Sequence, residues 1–129
     1  MEIVESARIS SSSSGDHDEK IMKLKYKLGL MKSLASDFVI KCENVFVHEG
    51  RYHIILEHMA RGQLSRFIYG HKRAFSSAFC KYAIYCVAVA LKEMHDLNII
   101  HRDIRSCNIL VNSIGDIKLA EPHFAVFLT

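Results

Sequence analysis

The chain has 129 residues, 50% hydrophobic and 24% charged, with a formal net charge of +3 when its eight histidines are neutral. That length suits one soluble globular domain burying roughly two-thirds of its unfolded surface, and the small charge gives no electrostatic argument for nucleic acid. Cys42, Cys80, Cys86 and Cys107 form no C-x-x-C pair, and the sequence has no H-x-x-x-H and no typical Cys/His zinc spacing; a reducing compartment and no structural metal are expected.

The first residues carry Glu2 and Glu5 and lack an apolar signal core. The longest apolar run, Tyr82 to Leu91, is about half of the ~20 residues a membrane span needs. A cytoplasmic protein without a membrane span is therefore expected. Residues 1–15 end in five serines and Gly15, too little apolar surface to offset the entropy of ordering, so a disordered Ser-rich tail is expected there.

A helix is expected from Asp16 or Asp18, where Asp16 and Glu19 have capping-box spacing. Ile21, Leu24, Leu28, Met31 and Leu34 then recur every three or four residues, with Lys20, Lys23 and Lys27 on the other face. This is the pattern of a packed helix with a solvated basic side. Val45–Val47 and Tyr52–Glu57 alternate as strands around His48-Glu49-Gly50-Arg51 and predict a hairpin. A polar stretch to Gly62 precedes a short helical turn at Leu64–Tyr69, stopped by Gly70.

Ser76 or Ser77 can cap a long helix reaching about His95. Because Tyr82–Leu91 is apolar on nearly every side, this helix is expected at the centre of a core. A second hairpin is predicted at Ile109–Val111 and Ile117–Ala120, turning through Asn112-Ser113-Ile114-Gly115. Between helix and hairpin runs Ile-His-Arg-Asp-Ile-Arg-Ser-Cys-Asn, from Ile100 to Asn108.

The order H-R-D-x-x-x-x-N resembles the catalytic loop of eukaryotic protein kinases, and the elements around it resemble the middle of that domain from about Lys20 to Thr129. The resemblance implies an α+β, partial protein-kinase-like fold, with a small-lobe remnant at 16–59 and the start of the large lobe at 60–129. The first helix would be the regulatory C-helix, the first hairpin the family's fourth and fifth strands, and the long helix its E-helix. Phosphoryl transfer relies on positioning and electrostatics. Asp103 would orient the substrate hydroxyl, Arg105 would contact the transferred phosphate, and Asn108 would hold magnesium. Arg105 stands where serine/threonine kinases usually have lysine, a change of geometry at constant charge; some tyrosine kinases also have arginine there. For ATP, Leu56 would be the gatekeeper, with the Glu57 carbonyl and Met59 amide contacting adenine. Gln63 would approach the ribose, and Leu110 would form the floor under the base.

Several positions depart from the family pattern. Glu121-Pro122-His123 stands where the family has D-F-G, whose aspartate is the main magnesium ligand. Glu121 offers a carboxylate one methylene further out, while Pro122 fixes φ and His123 replaces a permissive glycine. Lys27 occupies the C-helix glutamate position, and no G-x-G-x-x-G or V-A-I-K pattern occurs. The expectation is a catalytically impaired pseudokinase or kinase fragment that works by binding a protein partner or itself through exposed apolar surface. An active serine/threonine kinase and a non-functional truncated product are the alternatives. Cys107 is expected to be a passive loop thiol, and Cys42, Cys80 and Cys86 small buried hydrophobes.

Overall fold

The computed structural model describes residues 3–8, 22, 26, 29, 34, 36–48, 51–70, 75–120 and 126–127. They divide between two compact units, one within Met1–Ala35 and Lys41–His58, the other within Ser36–Ile40 and Met59–Thr129.

In the first unit, strands β2 (Cys42–His48) and β3 (Arg51–Leu56) form the expected antiparallel hairpin, with Val45 opposite Ile54 and Val47 opposite Tyr52. A bulge falls between Cys42 and Asn44. The Phe46 ring stacks on the His53 ring across the pair, centroids 5.1 Å apart, the kind of cross-strand contact that fixes register. Strand β1 (Ile3–Arg8) pairs antiparallel with the other edge of β3, Ile3 opposite Leu56 and Arg8 opposite Arg51.

Strand β1 corrects the expectation of disorder through residues 1–15. Composition weighs a segment alone, whereas β3 presents a row of backbone donors and acceptors that a six-residue strand can satisfy. Residues 9–15 lie outside the described residues, as do the caps, the apolar stripe and the lysine face of the first expected helix apart from Leu34. Met22, Tyr26 and Gly29 within that stretch are helical and exposed.

The longer segment of the second unit begins after His58. Strand β4 (Gly62–Gln63) leads into the short helix Leu64–Gly70, and the long helix spans Ser77–Asp96. Ser76 is the N-cap: its hydroxyl accepts from the Phe79 amide at 3.1 Å. At the other end the Leu97 and Asn98 amides donate to the Met94 and His95 carbonyls, and Asn98 turns out of the helix at φ 58°. Asparagine tolerates this left-handed position better than most residues.

Strands β6 (Ile109–Val111) and β7 (Ile117–Leu119) form the second predicted hairpin, and β4 pairs with the free side of β6. Two-residue strand β5 (Ile99–Ile100) pairs with β8 (Val126–Phe127). Residues Ser36–Ile40 belong here rather than to the expected small-lobe remnant. Backbone bonds explain it: Ile40 N donates to Leu119 O at 2.9 Å and Leu119 N to Phe38 O at 2.8 Å, strapping the segment along β7.

The core joins Leu64, Ala83, Cys86, Val111 and Ile117, with Phe38, Phe75, Phe79 and Ile109 packed against it. The long helix does not lie at the centre of that core. Its buried stripe is Ala83, Cys86, Ala90 and Met94, while Tyr82 and Tyr85 are exposed and Ile84 is 70% exposed. Three small residues and one methionine seat one face closely on the hairpin, and the apolar residues opposite have no described element covering them. Cys80 is likewise exposed, not buried, whereas Cys42 and Cys86 are buried as expected; all four cysteines are in the reduced, unbridged form.

Candidate functional site

The loop from His101 to Asn108 is built by hydrogen bonds that the sequence does not announce. Strand β5 delivers His101 into the interior, where it is 1% exposed. Its Nδ1 accepts from the Asp103 amide at 3.2 Å, which leaves Nε2 to carry the proton and donate to the Ala120 carbonyl at 2.8 Å. One imidazole thus ties the start of the loop to the residue following β7. Between His101 and Asp103, Arg102 takes φ 70°, a left-handed conformation that costs about 1–2 kcal/mol in a residue with a side chain. Such strain persists where surrounding bonds over-determine the backbone. Here the His101–Asp103 bond does so.

Asp103 and Asn108 meet. Asn108 is 3% exposed, and its Nδ2 donates to the Asp103 carbonyl at 2.9 Å and to carboxylate Oδ2 at 2.7 Å. An ionised carboxylate only accepts, so the amide orientation is forced and Asn108 Oδ1 turns away toward the Cys107 thiol, 3.6 Å off. The single 3-10 turn Ser106–Asn108 makes this approach possible, with Asn108 N donating to Arg105 O and Asn108 O accepting from Ala120 N at 2.7 Å. The arrangement holds a half-buried carboxylate in one orientation with an amide oxygen beside it. It can orient a hydroxyl and offer a neutral oxygen to a cation.

Arg105 is exposed, and its Nε donates to Cys107 Sγ. Gln63 and Leu110 sit opposite each other in the β4–β6 pairing. Leu56 ends β3, and Glu57 belongs with it in the first unit: Glu57 N donates to Lys41 O at 3.0 Å while Glu57 Oε1 accepts from Lys41 N at 2.7 Å. Met59 belongs to the second unit and is 2% exposed, with its carbonyl accepting from Gly62 N at 2.8 Å. The structure therefore brings together Asp103 with Asn108, and Gln63 with Leu110. Lys27 and Glu121-Pro122-His123 lie outside the described residues. Among the described residues no three His, Cys, Asp or Glu side chains converge to hold a metal ion.

The comparison with known families decides the assignment, because residues 7–128 match the family described as the protein kinase domain. The chain belongs to the protein kinase family. That match reaches further toward the N-terminus than the resemblance read from motifs, which began near Lys20. Among curated relatives, an Aurora kinase of Patiria pectinifera is 31% identical over 77% of this chain and 25% of its own length. Mitogen-activated protein kinase kinase 1c of Physcomitrium patens is 33% identical over 65% of this chain and 24% of its own. Serine/threonine-protein kinase PLK4 of Xenopus tropicalis is 25% identical over 81% of this chain and 12% of its own. The chain spans about a quarter or less of these relatives. No helix among the described residues is long and apolar enough to cross a membrane.

Sequence reasoning quoted His101 within the H-R-D pattern and Ala120 at the end of the second hairpin but assigned neither a role in holding the loop. Composition treats that histidine as one of eight; its place two residues before Asp103 and after Ile99-Ile100 was the available signal. Ala120 contributes backbone only, and no side-chain motif could reveal it.

Proposed function

We propose that this kinase-family chain is catalytically impaired and acts by binding a protein partner or a second copy of itself. The observation that carries the reading is the combination of the sequence Glu121-Pro122-His123 with an intact Asp103–Asn108 pair. The hydroxyl-orienting half of the chemistry is present, whereas the segment that should supply the main metal carboxylate is altered at all three positions. Lys27 at the glutamate position of the C-helix supports the same reading, since groups that act as a unit in phosphoryl transfer are not replaceable one at a time.

Were ATP and magnesium to bind, Asn108 and Glu121 would be the metal ligands. Leu56, Glu57, Met59, Gln63 and Leu110 would face the nucleotide, and Arg105 the transferred phosphate. The metal would supply charge neutralisation on the phosphate oxygens. Partner binding draws support from the exposed side of the long helix. A cavity of about 530 Å³ there is lined by Leu64, Ile68, Phe79, Ile84, Val87 and Leu91 among other residues, without a charged side chain. A contiguous exposed apolar surface of this kind marks an interaction site.

The deciding experiment incubates the purified chain and its Asp103→Asn variant with γ-labelled ATP, magnesium and a general protein substrate. No transfer by either form is expected. Transfer by the native chain that Asp103→Asn abolishes establishes the alternative, an active serine/threonine kinase.

A further inference from the structure

A second, polar cavity of about 320 Å³ lies within the second unit, lined by Asp37, Phe38, Tyr82, Asp116, Ile117 and Lys118. Three elements build it: the strap Ser36–Ile40, the long helix, and β7 with the turn before it. Each wall is fixed. The strap is bonded to β7 on either side of Val39, and Phe38 N donates to the buried Ser36 hydroxyl at 3.0 Å. The Phe38 ring meets Tyr85 edge-on at 6.1 Å. Asp116 is held by Asn112, whose Nδ2 donates to Asp116 Oδ2 at 2.8 Å while Asn112 Oδ1 accepts from the Ile114, Gly115 and Asp116 amides. Gly115 supplies the φ of 101° that closes this turn.

The lining carries two carboxylates from different elements, one ammonium and one phenol. At neutral pH its formal charge is one negative unit. Tyr82 keeps its proton more firmly than an ordinary tyrosine, through its hydrogen bond to Cys86, burial, and the nearby charge of Asp116. A single positive charge neutralises this lining. The aromatic walls add an attraction for cations that grows as water is displaced, and the volume is at the small end of the roughly 300–1,000 Å³ typical of ligand pockets. One long side chain suits that space. A planar guanidinium can meet carboxylates in its plane and rings on its faces, which a compact ammonium cannot do at once.

We propose that the cavity between the Ser36–Ile40 strap, the long helix and β7 receives an arginine side chain from a partner polypeptide, with Asp37 and Asp116 as its anionic contacts. This site needs no nucleotide and stands whether or not the chain transfers phosphate.

The test follows backbone amide resonances of the isotope-labelled full chain during titration with acetyl-arginine-N-methylamide. The neutral isostere acetyl-citrulline-N-methylamide and the ammonium analogue acetyl-lysine-N-methylamide are run in parallel. Saturable shifts at Phe38, Ile117 and Lys118 are expected with the arginine probe, at least tenfold weaker with citrulline, and at least fivefold weaker in Asp37→Asn. Equal response to citrulline, shifts confined to other parts of the chain, or an unchanged affinity in a folded Asp37→Asn would overturn the proposal. Tighter binding of acetyl-lysine-N-methylamide than of the capped arginine would also overturn it, assigning the cavity to an ammonium group. The citrulline comparison is made on the native chain, so it decides even if the variant misfolds.

Discussion

Replacing Asn108 with alanine removes the side chain that closes the catalytic-type loop. In the native chain its amide donates to the Asp103 carbonyl and to the Asp103 carboxylate, at 2.9 and 2.7 Å, from a position 3% exposed. A bond to a neutral carbonyl contributes about 1 kcal/mol net, and one to a carboxylate about 2 kcal/mol. Asn108→Ala should therefore cost about 3 kcal/mol. At roughly 3–4 °C per kcal/mol for a chain of this size, the melting midpoint falls by about 10 °C. A double-mutant cycle with Asp103→Ala, followed by circular dichroism melts, isolates the side-chain pair, and its coupling energy should be about 2 kcal/mol. A coupling below about 0.5 kcal/mol, the scatter expected of independent sites, would refute the direct Asp103–Asn108 contact and with it the reasoning on amide orientation.

Four further outcomes follow from the same geometry. Ser76→Ala deletes the cap of the long helix and should cost about 1 kcal/mol in a denaturant melt. His101→Ala leaves the Ala120 carbonyl and the Asp103 amide without their partner in a buried setting, and should cost about 2–4 kcal/mol by the same assay. Ile84→Glu, at an exposed position, should leave the melt within about 0.5 kcal/mol while reducing self-association in light scattering and the binding of a dye specific for apolar patches. Burial raises the Cys86 thiol above its ordinary 9.0, and the hydrogen bond with Cys86, ahead of burial, raises Tyr82 above 10.0. Both groups hold their protons more tightly when folded, so their stabilising effect is complete below about pH 9 and is lost as pH rises through the folded-state values. Alkaline melts should show the decline beginning near pH 9, and at pH 8 a small alkylating reagent should label Cys80 well before Cys86.

What could be read from the sequence was what local chemistry specifies. The hairpins at 42–56 and 109–119 announce themselves by alternation around turn residues, and the Ser76 cap by its place before an apolar run, because partners a few residues apart decide these structures. Strand β1 and the β5–β8 pair depend on partners more than twenty residues away in the chain, and two-residue strands carry no period. The exposure of Ile84 escaped notice for a related reason: an all-apolar helix reads as central only if something packs on each side of it. Within the site, Asp103 and Asn108 were legible because side-chain chemistry fixes both residue type and spacing. The strap of Ser36–Ile40 on β7 is a backbone event, and the Ala120 carbonyl that receives the His101 ring is a backbone group; neither leaves a residue signature.

Thermal melting of the purified chain with and without ATP, each with and without magnesium, tests the proposed impairment most directly. A ligand at a hundredfold its dissociation constant adds about 2.7 kcal/mol to the folded state, enough to move the midpoint by several degrees. With Glu121-Pro122-His123 in place of the usual metal segment, a cooperative melt with no magnesium-dependent rise is expected. A rise of several degrees that requires both ATP and magnesium would contradict the loss of the metal–nucleotide site on which the proposal rests and revive the active-kinase alternative.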